Sequence, residues 1–253
     1  MGTDQDWEKF GRADPYFGVC ADPVFRNAAV DPAAREAFFR SGEEHVERVF
    51  AIVRDHLAPD FAPRRALDFG CGVGRVAIPL ARRVDEAVGV DVSPSMLAEA
   101  HRNATAAGVD NLTFVRSDDH LSALHGDFDF IHSFIVFQHI PPHRGEALLQ
   151  ALLARLAGGG IAALHFTYDA KLPPWRHLLQ SLRRRIPFAH GIGNLLQRRP
   201  WGYPLMQMNV YDPRRLLAQL QEHGCHDVHL RFTKHGAWSG LFLFFRREEI
   251  PGL

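Results

Sequence analysis

The side chains best suited to chemistry lie in the middle of this 253-residue chain. Gly70, Gly72 and Gly74 stand at alternate positions, and Asp68, Asp91 and Asp118 stand at or near the ends of apolar runs. Glycine tolerates positive φ and lets a ligand touch the backbone. A carboxylate accepts hydrogen bonds from hydroxyl and amino groups. A glycine turn, a carboxylate for a ribose diol and a carboxylate for a purine amino group are the parts of a nucleoside site. Further on stand Gln138 and His139. An imidazole with an ordinary pKa of about 6.5 suits proton abstraction.

These residues need a scaffold that brings them together. Apolar runs predict strands at Arg65–Phe69, Ala87–Asp91, Leu112–Arg116, Phe128–Phe134 and Ile161–Tyr168. Helical spacing predicts helices over about 74–83, 94–107 and 143–156, and a short one at Leu121–Leu124. Gly158-Gly-Gly160 reads as a turn into the fifth strand. Such alternation implies a parallel, doubly wound sheet. A helix opened by Asp212-Pro213 and two closely joined strands, Val228–Thr233 and Leu241–Arg246, complete it, and the last two should be antiparallel. Upstream, 1–32 reads as an irregular arm punctuated by Asp-Pro pairs, its aromatics pinning it to the main domain or closing it as a lid. Then come a short helix at Pro32–Arg40 and, after capping-box spacing at Ser41–Glu44, an amphipathic helix over about 43–57.

The glycine turn is not that of a dinucleotide site. In Gly-x-Gly-x-x-Gly the third glycine comes one residue later; here Arg75 stands there. Asp91 at the end of strand two suits a ribose, and Asp118 after strand three suits adenine. The remaining tail of the ligand is zwitterionic, with no phosphate to cradle. At these residues the chain resembles the class I S-adenosylmethionine-dependent methyltransferases. Leu67-Asp-Phe-Gly-Cys-Gly-Val-Gly74 is similar to that family's first motif, Gly89-Val-Asp-Val-Ser-Pro-Ser-Met-Leu97 to its second and Phe114-Val-Arg-Ser-Asp118 to its third. Phe128–Phe134 and Leu156–Ile161 resemble the strand-four and strand-five motifs, so the likeness covers 65–168 in order, plus the terminal hairpin. Ser117 departs from the family's usual glycine.

The resemblance implies an α/β fold: a three-layer, doubly wound, mostly parallel seven-stranded sheet, order 3-2-1-4-5-7-6, strand seven antiparallel. It implies S-adenosyl-L-methionine as cofactor, with Gly70, Gly72 and Gly74 against it, Asp91 on the ribose and Asp118 at adenine. Cys71, Val92, Met96, Asp119, Phe134 and Gln138 complete the expected cofactor set. Asp68 either braces the turn or meets the methionine amine, and Asp119 has a second reading as a helix cap. Methyl transfer is an in-line displacement that needs alignment more than a strong catalytic constellation. His139 is the candidate base; its alternatives are lining the methionine end with Gln138 or capping the next helix. No metal is expected. Ser133-Phe134 stand where the Mg²⁺-dependent branch has an Asp, and His223, Cys225, His226 and His229 lack a known zinc spacing. The Asn-Pro-Pro-Tyr-type motif of amino-methylating nucleic-acid enzymes is absent.

The chain reads as one domain: arm and helix 1–60, cofactor core 65–168, cap insertion 169–211, and C-terminal helix and hairpin 212–253. Between Ala170 and Tyr211 lie seven basic residues and no acidic one. A face of Trp175, Leu178, Leu179, Leu182 and Ile186 predicts a cap helix there; an acidic-substrate clamp and a membrane-surface helix are the other readings. Tyr16, Trp201, Tyr203 and Met206 are the candidate acceptor-binding residues. Zero formal net charge excludes a globally basic nucleic-acid binder. Three distant cysteines, polar first residues and no apolar run of membrane length predict a cytoplasmic protein. The expected acceptor is a small molecule methylated at oxygen, with no nucleic acid and no integral membrane association. Rival readings are a macromolecule or lipid head group held by the basic insertion, a cofactor-binding protein without transfer activity, and an NAD-dependent dehydrogenase.

Overall fold

The computed structural model describes residues 3–25, 31–171, 187–196, 198 and 200–249. One seven-stranded sheet forms in the order β3-β2-β1-β4-β5-β7-β6. Its strands are β1 Arg65–Phe69, β2 Glu86–Asp91, β3 Leu112–Arg116, β4 Phe128–Ser133, β5 Leu156–Ala170, β6 Asp227–His235 and β7 Trp238–Arg246. β1 to β5 pair in parallel; β7 runs antiparallel to both β5 and β6. This is the order and direction that the motif series implies.

Strand alternation divides the core. Leu67 and Phe69 of β1 join Val88, Val90 and Ile131 in a cluster covered by α6 (Pro142–Ala154) and α8 (Pro213–Glu222). Ala66 and Phe130 turn the other way, onto Val46, Val49, Phe50 and Val53 of α3 (Pro32–His56). The next residues on that same face are Asp68 and His132, which are register partners across β1 and β4. A polar pair is thus set at the carboxyl end of an apolar face.

Several elements depart from expectation for local reasons. The arm is helical: α1 is Thr3–Ala13, α2 is Pro15–Val19, and a single 3₁₀ turn covers Pro23–Phe25. Acidic Asp4 and Asp6 in the first turn of α1 and Arg12 in its last suit the helix dipole, and Arg12 pairs with Glu8 one turn back. α3 is one continuous helix, with no break at Ser41. The Ser41 hydroxyl donates to the Phe38 carbonyl instead of capping, and Gly42 lets the Arg75 carbonyl approach the helix, where an added Cβ would stand 2.0 Å from that oxygen. The first crossover helix is shorter than its apolar pattern, α4 being Ala77–Ala81. No helix forms at Leu121–Leu124, where Leu121 has a φ of 51°. The glycines at 158–160 are part of β5, whose pairing with β4 shifts register between Phe128 and Phe130. α5 (Pro94–Ala106) keeps its expected cap, the Ser93 hydroxyl accepting from Met96 N at 3.1 Å. α7 is Pro187–Leu196. The expected helical face at Trp175–Ile186 lies outside the described residues. Among those described, no helix is long and apolar enough to cross a membrane.

Gly42→Ala should lower stability by about 1–3 kcal/mol through overpacking against the Arg75 backbone. A solvent-facing helical glycine would instead gain up to about 1 kcal/mol from the same change. Denaturant unfolding separates the two signs.

Candidate active site

A cleft of about 1060 Å³, its open mouth included, lies at the carboxyl ends of β1, β2 and β4. Its floor is the glycine turn. Gly70 and Gly72 have φ of 77° and 54°, and Gly70 N and Cys71 N donate to the Val90 carbonyl at 2.8 and 2.9 Å. A Cβ at Gly70 would meet a Val136 methyl at 2.4 Å, and one at Gly72 a Val19 methyl at 2.4 Å. Gly74 does not line the cleft; its open side faces Ile78 of α4.

Asp91 ends β2 beside this turn. Its Oδ2 accepts from Gly72 N at 3.0 Å and its Oδ1 from Ser93 N at 2.9 Å. Burial raises its pKa to about 6, against the lowering pull of those backbone bonds. Val92 and Met96 line the wall beyond it. Across the mouth Asp118 and Asp119 reach the cleft by different routes. Asp118 is exposed and folds back on its own turn, accepting from His120 N at 2.9 Å and Ser122 N at 3.0 Å, which lowers its pKa. Asp119 pairs with Arg144, so no cap hydrogen bond defines it.

Asp68 is buried, and its Oδ1 accepts from His132 Nδ1 at 2.8 Å. His132 Nε2 lies 2.9 Å from Nε2 of His45 on α3. Burial first, then His132, hold His45 neutral, with a pKa of about 2. Near this end Arg75 lines the cleft. Its Nη1 donates to the Ser41 hydroxyl at 3.2 Å, while its buried Nε has no partner.

α1 covers the cleft. Arg144 donates to both oxygens of Asp4 at 2.6 and 2.8 Å. Glu8 accepts from the Ser93 hydroxyl at 2.8 Å and the Ser95 hydroxyl at 2.7 Å at the start of α5. Trp7 sets its ring edge-on to His139, centroids 5.0 Å apart. His139 Nδ1–H donates to the Gln207 carbonyl at 2.7 Å, which leaves Nε2 as an acceptor. The Gln138 amide stands 3.2 Å from that Nε2, and Gln138 Oε1 accepts from Thr167 at 3.1 Å. Burial pushes the His139 pKa down to about 4, well below the ordinary imidazole value assumed from sequence. Gln138 is buried behind the cleft wall, and Phe134 lines it.

The four residues expected at an acceptor pocket do not line this cleft. The Tyr16 hydroxyl donates to Glu99 at 2.6 Å, with Asn103 at 3.0 Å. Tyr203 and Met206 pack on the aromatic cluster of the arm, and Trp201 is half exposed. Trp7, Arg75, Ile135 and Arg144 do line it, and sequence reasoning missed them there. Ile135 had a legible signal only in three dimensions: its φ of 61° is an outlier for a β-branched residue. Arg144 had none, since its partner Asp4 lies 140 residues away. Among the described residues no group of His, Cys, Asp and Glu has the arrangement of a metal site.

Residues 66–160 match the family described as a methyltransferase domain. The chain is 33% identical over 135 residues to a trans-aconitate 2-methyltransferase of Methylobacterium radiotolerans, which covers 53% of this chain and 49% of that protein. Over 57 residues it is 47% identical to a 23S rRNA (uracil(1939)-C(5))-methyltransferase of Shewanella amazonensis, covering 22% of this chain and 13% of that one. The chain thus spans at most about half the length of these curated relatives. The magnesium protoporphyrin IX methyltransferase of Synechocystis PCC 6803, solved with bound SAM, has the same fold at TM-score 0.61 and 18% identity, over 98% of each chain. The N-methyltransferase NodS of Bradyrhizobium japonicum, solved with S-adenosylhomocysteine, superposes at TM-score 0.60 and 17% identity, over 98% of this chain and 100% of that one. Residues 66–160 thus match a methyltransferase domain, and the sheet order is the one that the resemblance to the class I S-adenosylmethionine-dependent methyltransferases implies.

A ribose diol donates to an ionised carboxylate, so if Asp91 holds a ribose its protonated form is the weaker acceptor. With its pKa near 6, S-adenosylhomocysteine affinity should be flat above pH 7 and fall as pH drops through 6. At pH 5 it should be about tenfold weaker. Isothermal titration across this range reads it, and Asp91→Asn should bind weakly with no such slope.

Proposed function

We propose that this chain transfers the methyl group of S-adenosylmethionine to an oxygen of a small-molecule acceptor, chiefly by alignment. The observation that carries the reading is the covered cleft, with Asp91 beside a glycine turn whose backbone a ligand can touch. The residues present fit the cofactor. Asp91 would hold the ribose hydroxyls, and the Asp118–Asp119 turn the adenine edge. At the other end Asp68 and Arg75 offer one carboxylate and one guanidinium with a free Nε–H, the complement of an amino-acid zwitterion. When bound, the cofactor supplies an electrophilic methyl group on a sulfonium. The chain's own residues orient and exclude water: Trp7 and Val19 close the cleft from the arm, and Val136 closes it from the loop after β4. Holding reactants in line is worth about 7–11 kcal/mol of barrier.

His139 enters this reading as a polar wall first and a base second. It is neutral above about pH 4, but the Gln138 amide faces its free lone pair. It accepts a proton only if that amide turns away. An acceptor already ionised at oxygen, such as a carboxylate, needs no base. The relative named for trans-aconitate supports a small organic acid as the class to test first. The free cysteines Cys20, Cys71 and Cys225 suit a reducing, cytoplasmic setting. Neither nucleic acid nor a membrane anchor is part of this reading.

Assay with isotopically labelled S-adenosylmethionine against a panel of small carboxylic acids and phenols tests it. Asp91→Ala should weaken S-adenosylhomocysteine at least tenfold; unchanged affinity would mean the site is misassigned. With an active acceptor found, His139→Gln should keep kcat within about tenfold. A loss of 10² to 10⁴ would make His139 the general base.

A further inference from the structure

Strand register, rather than sequence proximity, brings Asp68 and His132 together. They are partners across β1 and β4, both on the face that α3 covers. The Asp68 and His132 side chains are buried, as is His45 above them on α3. An ionised carboxylate only accepts hydrogen bonds, so the 2.8 Å contact is a His132 Nδ1–H donated to Asp68. The two Nε2 atoms of His132 and His45, 2.9 Å apart, then share one hydrogen between them. Both ring nitrogens of His132 are engaged. Its ring orientation is fixed from two sides, and the carboxylate it holds is fixed with it. Asp68 and His132 also both line the cleft. A carboxylate buried without a partner would be costly and would relax toward any donor in reach.

We propose that His132, backed by His45, is a positioning residue that fixes Asp68 for the cationic amino group of the cofactor's methionine end. This rests on the reading of the cleft as an S-adenosylmethionine site. His132 does not touch the reacting atoms; it acts through Asp68. The consequence is selective. Ligands carrying the amino-acid end depend on the chain, and the nucleoside end, held by Asp91, does not.

Two probes separate the ends: S-adenosylhomocysteine carries the amino acid, and 5′-methylthioadenosine lacks it. His132→Phe should weaken S-adenosylhomocysteine at least tenfold while 5′-methylthioadenosine changes less than twofold. His132→Asn keeps a donor toward Asp68 and should restore S-adenosylhomocysteine to within about threefold of the unaltered protein. His45→Phe, which leaves the His132–Asp68 bond in place, should give a smaller loss confined to the same ligand. Parallel weakening of both ligands, or no change in either, overturns the proposal. If His132→Phe does not fold, the other two variants decide it by the same ratio. Should the unaltered protein bind neither probe, it is the cofactor reading that fails, and the two failures are distinguishable.

Discussion

Holding carboxylates at the buried ends of parallel strands is the constraint on which the rest of this structure depends. β1 and β2 are apolar on both faces, and each carries an aspartate at or next to its end. Removing such a group from water is expensive unless donors replace the lost hydration. The chain supplies them in two ways. For Asp91 they are backbone N–H groups, of Gly72 across the turn and of Ser93 leading into α5. For Asp68 the donor is a side chain from the neighbouring strand. The first leaves the carboxylate beside the cleft, where burial raises its pKa against the lowering pull of those bonds. The second leaves it buried and tethered. Two aspartates that line one cleft are thereby held by different kinds of donor.

The same logic organises the arm. Glu8 sits where α5 begins, and its burial, which alone would raise its pKa, is outweighed by hydrogen bonds from Ser95 and Ser93 that hold it at about 2. Helix N-termini favour such an anion. Arg144 gathers Asp4 and Asp119 into one polar contact. Gly11 permits the close crossing, since a Cβ there would stand 2.5 Å from the Ser93 hydroxyl. Between these two anchors Trp7 is delivered onto His139. The wall that the arm contributes is therefore anchored by polar and charged contacts, and only its centre by apolar contact.

What was legible in the sequence follows from how local each cause is. Strand periodicity and the order of motifs gave the sheet, because alternation and crossover rules act over short stretches. Asp91 stood out because it closes an apolar run, and it lines the cleft at the end of β2. Ser41-Gly42 misled because capping-box spacing is a local pattern, whereas the reason for Gly42 is the Arg75 carbonyl, a tertiary neighbour. The arm misled similarly: its Asp-Pro pairs signal turns, but Asp14-Pro15 also starts a helix, with Pro15 in the first turn. The His139 pKa was read from the free amino acid and moved by burial.

The residues that least resemble a motif are among those that line the cleft. His132 follows Phe130 at strand period, so in sequence it is a polar residue where an apolar one belongs. Asp68 breaks the same face of β1 after Ala66. Each looks like a defect until the strands are placed in register, and then each explains the other. The same holds for Arg75, which departs from a dinucleotide fingerprint and instead brings a guanidinium to the cleft. A hydrogen-bonded chain through His132 on β4 to His45 on α3 holds Asp68, and Arg75 lines the same cleft. These three departures from pattern are therefore gathered at one end of the cleft, where they set fixed polar and charged groups.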